Sequence, residues 1–135
     1  MSGEKSISAL LRGMSPVLNE GDFVFCTVAD ASALLGTDVL GTFREKEGFT
    51  VIIERERADA LGLEYNFVAA WITLTIHSAL DAVGLTAAFA TALGKAGISC
   101  NVIAAFYHDH IFVAKDDAAK AIDVLQALSR AGESR

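Results

Sequence analysis

The chain has 135 residues, 53% of them hydrophobic, and a formal net charge of -6. That acidic balance lacks the basic footprint phosphate backbones require, and the aromatic signature of ferredoxin-like RNA-binding modules is missing, so a nucleic-acid partner is excluded. A chain of this length buries about two-thirds of its unfolded surface without staples, and its positive mean hydropathy points to apolar surface shared with a second copy, most simply in a homodimer.

In chain order, Pro16-Val17-Leu18 is an early strand-like piece and Phe23 to Val28 reads as a strand. Ala31 to Gly36 reads as a short helical turn. Gly41 to Arg44 and Phe49 to Glu54 read as two strands around the turn Glu45-Lys46-Glu47-Gly48. A short helix from Arg55 to Leu61 ends at Gly62, with Arg55 and Asp59 spaced to pair across one turn. Glu64 to His77 has no turn residue except Asn66 and reads as one extended segment, with a unit boundary near Tyr65. The units are then residues 1–65 and 66–135.

Within that segment Ile72, Leu74 and Ile76 alternate with Trp71, Thr73, Thr75 and His77, so one face should meet helices. From Leu85 the period becomes helical through Phe89, Leu93 and Ala96, and Gly97 sits where a left-handed cap is expected. Ile98 to Tyr107 and His110 to Ala114 read as a hairpin joined at His108-Asp109. Asp116 and Asp117 open a last helix whose apolar stripe is Ala118, Ala121, Ile122, Leu125 and Leu128.

This βαββα series suggests a ferredoxin-like sheet with its helices on one face. The expected class is α+β, with two ferredoxin-like βαββαβ units. The second unit lacks a fourth strand, and Pro16-Val17-Leu18 is the piece free to supply it, so strand exchange between the halves is expected. The apolar stretch near Phe67 to Ile76 is about half of what a bilayer needs. The N-terminus has no signal-peptide core, and the expected location is cytoplasmic.

Chemistry-bearing motifs are sparse. Cys26 and Cys100 lie within predicted strands and outside any C-x-x-C pattern, as buried reduced thiols do. No phosphate-cradling or nucleophile-elbow motif occurs, and no cofactor or metal is expected. A weaker alternative is a small enzyme using His77, His108 or His110 as acid or base. The most informative stretch is the strand-to-helix junction from His77 to Thr86, because free amides at a glycine-containing helix start can hold a small anion such as a carboxylate.

The Thr73-Leu74-Thr75 strand, the Leu80-Asp81-x-Val83-Gly84-Leu85 loop, the Gly97-Ile98-Ser99-Cys100-Asn101 approach to the next strand and the Tyr107 to Val113 hairpin together resemble an ACT domain. Val83 stands where that family often has proline. Over nearly its full length the chain resembles small bacterial proteins made of two ACT units, which are similar to the regulatory halves of aspartate kinases and to animal cytosolic arginine sensors. The resemblance implies a non-catalytic regulatory module that binds an amino acid at an interface between ACT units. Amides around Val83, Gly84 and Leu85 would take the carboxylate, Asp81 or Asp109 the ammonium group, and Asn101 either one. The other reading is an ACT-based dimerisation module without a ligand.

Overall fold

The structure is a computed structural model and describes residues 7–75 and 84–133. The elements are α1 (Ile7–Gly13), β1 (Pro16–Leu18), β2 (Phe23–Val28), β3 (Gly41–Arg44), β4 (Phe49–Glu54), α2 (Arg55–Ala60), β5 (Val68–Leu74), α3 (Leu85–Lys95), β6 (Asn101–Ala104), β7 (Asp109–Ala114) and α4 (Ala118–Glu133). They gather into two compact units: residues 20–69, and residues 1–19 together with 70–135.

In the unit of residues 20–69, β2 pairs antiparallel with β4, and β4 with β3, while the first residues of β5 pair with β2 through Phe23 opposite Ala69 and Val24 opposite Val68. Val24, Cys26, Val51, Ile53 and Ala58 form its core, which is the inward set of the alternating strands joined by the buried residue of α2. The hairpin turn closes through Glu45 N–H donating to the Gly48 carbonyl. Gly48 has a φ of +154°, and a β-carbon there would lie 2.7 Å from the Val28 carbonyl oxygen, so only glycine fits.

Two expectations change here. The extended segment begins at Val68 and not at Glu64, because Leu63 and Tyr65 turn onto this core and the Leu63 amide donates to the Ala58 carbonyl. Arg55 and Asp59 are bridged by the Tyr65 hydroxyl, which accepts from Arg55 Nε at 3.0 Å and donates to Asp59 Oδ1 at 2.8 Å.

In the second unit the strand order is β1-β5-β7-β6. Pro16, Val17 and Leu18 lie opposite Leu74, Thr73 and Ile72, so the early segment supplies the strand that the βαββα series lacks. β6 is shorter than the sequence suggests, and the hairpin turn spans residues 105–108, closed by the Ala105 amide on the His108 carbonyl. Helix α4 begins at Ala118, two residues after the expected start at Asp116, since Lys115–Asp117 winds as a 3-10 turn.

The core of this unit explains its layering. Ala70, Ile72 and Leu74 of β5 and Ile111 and Val113 of β7 face Leu10 and Leu11 of α1, Leu85, Phe89 and Leu93 of α3, and Ala118, Ala121 and Leu125 of α4. Each large side chain so buried contributes about 1.5–3 kcal/mol. The cap at Gly97 has a φ of +78°, with the Ile98 amide reaching back to the Leu93 carbonyl. Ile76 and His77 lie outside the described residues.

Leu10 is 1% exposed, so Leu10→Ala should lower the unfolding free energy by about 2–5 kcal/mol in urea denaturation. Removing residues 1–19 deletes Leu10, Leu11, Met14 and β1 together. A truncated chain that melts like the full one would contradict this architecture.

Candidate functional site

Helix α3 starts at Gly84, whose φ of +96° and ψ of -16° are left-handed and which brings no side chain to cap the helix. Among the described residues the first helical hydrogen bond of α3 runs from the Ala88 amide to the Gly84 carbonyl at 2.9 Å, ahead of which stand the amides of Leu85, Thr86 and Ala87. The Leu85 side chain is buried in the core, so that residue offers a ligand only its backbone. Asp81 and Val83 lie outside the described residues.

The hairpin holds the other two candidates. Asn101 is exposed at the start of β6, opposite Phe112, and its amide nitrogen reaches the Phe112 carbonyl at 3.4 Å. Asp109 starts β7 opposite Ala104 and is half-buried. Asn101 and Asp109 are thus at opposite ends of the hairpin, about 10 Å apart along the strand, and one ammonium or carboxylate group does not touch both. Burial raises the proton affinity of the Asp109 carboxyl, with His110 and His108 opposing that rise. Immediately before it, the His108 ring nitrogen Nδ1 is buried with no hydrogen-bond partner among the described residues.

The structure also assembles a polar chain that the sequence reading missed. Trp71 Nε1 donates to His110 Nδ1 at 3.0 Å, and Thr73 Oγ1 lies 3.2 Å from the same nitrogen. Asn19 Nδ2 donates to Thr73 Oγ1 at 2.9 Å, and the Asn19 backbone amide donates to the Trp71 carbonyl. The alternation puts Trp71 and Thr73 on the face away from the helices, which is the available signal. Asn19 follows β1 directly, and only the β1–β5 register brings it there.

Cys26 and Cys100 are free thiols, and burial raises the proton affinity of both, with Asp59 adding to the effect at Cys26. Among the described residues no cluster of three or more His, Cys, Asp or Glu side chains is placed to hold a metal ion.

Left-handed backbone costs a non-glycine residue about 1–2 kcal/mol. Gly84→Ala should lower stability by that amount in thermal or urea denaturation, and Gly84→Val by more because a β-branched residue is harder to place there. Unchanged stability in both variants would contradict the left-handed helix start.

An ACT-domain family pattern matches residues 2–70 and a second ACT-domain pattern matches residues 66–127. No curated protein matches the chain. Among solved structures, a Vibrio cholerae protein of unknown function, described as a possible transport protein, is 52% identical and covers 93% of this chain and 97% of its own, with a TM-score of 0.85. The fold is also that of Clostridium acetobutylicum aspartate kinase, at 13% identity, 86% of this chain, 34% of the kinase and a TM-score of 0.67. It is shared with the ligand-free regulatory subunit of aspartate kinase from Thermus thermophilus, at 8% identity, 86% and 98% coverage and a TM-score of 0.62. With two ferredoxin-like units matched end to end by two family patterns, the chain belongs to the ACT-domain family and carries two ACT domains in tandem.

Proposed function

We propose that the chain is a non-catalytic regulatory module that senses a free amino acid. The observation that carries this reading is the start of α3, where a left-handed glycine leaves three consecutive amides ahead of the helical ladder. Donors in that arrangement, at the positive end of the helix dipole, suit a carboxylate. Gly84 allows the close approach that a β-carbon would hinder; in this reading the Val83 amide joins the carboxylate side, and Asp81 is a second candidate acceptor for the ammonium group.

Asp109 is the ammonium acceptor in this reading. Its half-burial disfavours the charged form, and an ammonium partner would restore it. The adjoining His108 Nδ1 is a second polar atom whose burial is uncompensated, the kind of group that a ligand can satisfy. Asn101, at the far end of the hairpin, has no part in this reading.

Thermal-shift screening against the twenty amino acids tests the proposal, because a ligand that binds only the native state raises the melting temperature. At least one should do so. Isothermal titration of Asp109→Asn should then show binding weaker by about 1.5–3 kcal/mol, while the unliganded variant is more stable than the parent because a half-buried charge is gone. No shift with any amino acid would favour an ACT-based dimerisation module instead.

We also propose that the module is a cytoplasmic homodimer. Ile103, Phe106 and Tyr107 are exposed on the second unit, Phe106 and Tyr107 at 79% and 70%, and apolar surface of that kind suits a second copy. The free thiols agree with a reducing compartment. Light scattering should report twice the chain mass, and a monomer at every accessible concentration would contradict the dimer.

A further inference from the structure

The chain Asn19, Thr73, His110, Trp71 is directional. An indole N–H only donates, so His110 Nδ1 must accept from Trp71, and the neutral ring carries its proton on Nε2. Thr73 accepts from Asn19 Nδ2 and therefore has its hydroxyl proton free to donate to the same His110 nitrogen. Two donors thus converge on one unprotonated nitrogen. The far end of the chain is the residue that closes β1. Asn19 is fastened to β5 by its backbone amide on the Trp71 carbonyl at 2.9 Å, by Nδ2 on that carbonyl at 3.3 Å, and by Nδ2 on Thr73.

We propose that this chain is a proton-sensitive latch: a proton added to His110 Nδ1 breaks the bond from Trp71, turns the ring into a donor that competes with Asn19 Nδ2 for Thr73 Oγ1, and so loosens the N-terminal strand β1 from the sheet it completes. The consequence reaches the whole second unit, because its fourth strand comes from the distant residues 16–18 and is only three residues long.

Among the described residues, the ionisable groups that act on His110 are His108 and Asp109. Burial lowers its proton affinity most and His108 lowers it further, while Asp109 raises it. β5 presents Trp71 and Thr73, and β6 presents Ile103 opposite His110; none of these titrates in this range. The sign follows. A histidine whose proton affinity is lower when latched binds its proton more readily once unlatched, so the latch is at full strength above about pH 6.5 and weakens as pH falls below that value.

Trp71 is the single tryptophan of the chain and reports on its own bond. Acidifying the full chain from pH 8 to pH 5 should change Trp71 emission with a midpoint below about 6.5. Over the same range, hydrogen exchange at the Asn19 amide, corrected for its intrinsic pH dependence, should quicken by up to about tenfold per pH unit. His110→Asn, which offers a non-titrating amide oxygen near the Nδ1 position, should abolish both transitions. Emission and exchange that stay constant in the parent, or transitions that survive in His110→Asn, overturn the latch. Should that variant fail to fold, nitrogen-detected spectra of the parent imidazoles decide: an Nε2–H tautomer of His110 above pH 7 supports the proposal, and an Nδ1–H tautomer overturns it.

Discussion

The second ACT unit depends on one pairing, the antiparallel ladder between residues 16–18 and β5. A βαββα segment builds three strands and two helices and leaves one edge of its first strand with unsatisfied amides and carbonyls, a liability in any sheet. Here the chain's own beginning covers that edge. The same connection brings α1 onto the helical layer, where Leu10, Leu11 and Met14 join Phe89, Leu93 and Leu125. Sheet completion and core completion are therefore one event, and Ser129 Oγ donating to the Met14 carbonyl and Thr75 Oγ1 donating to the Ser15 carbonyl tie the connection down from two sides.

That arrangement sets the conditions for the functional reading. The sheet presents one face to three helices, and the other face carries Trp71, Thr73, His110 and Asn101. The start of α3 is anchored from below by the buried Leu85 side chain, while its backbone amides stay ahead of the helical ladder. A helix start held rigidly by its first side chain is a better anion site than a frayed one, because its donors lose little freedom when a ligand arrives. The polar groups of the hairpin turn, Asp109 and His108, have the complementary property: their burial is incompletely compensated without a partner.

Most of this fold is legible in the sequence because the strands alternate cleanly. Phe23 to Val28, Gly41 to Arg44 and Phe49 to Glu54 are strands with the boundaries their composition suggests, and Gly62 and Gly97 stop helices at left-handed φ. The use of Pro16-Val17-Leu18 as the missing strand followed from counting edges, a topological argument that needs no side-chain detail. What local pattern could not supply was register. Tyr65 looked like part of a strand, yet its hydroxyl had better partners in Arg55 and Asp59. Asn19 carries no signal in the local pattern, and only its place beside Trp71 and Thr73 reveals its role. For the same reason the sequence grouped Asn101 with Asp109, which the hairpin register sets at opposite ends.

The central claim is that a free amino acid engages the start of α3 and the hairpin turn of the second ACT unit. Amide-resolved magnetic resonance during titration with a mixture of the twenty amino acids tests it most directly. The account predicts saturable shifts concentrated at Leu85, Thr86, Ala87 and Asp109, with the amides of β3 and β4 unmoved. Saturable shifts confined to residues away from α3 and β7, or spectra that do not change at all, would contradict it.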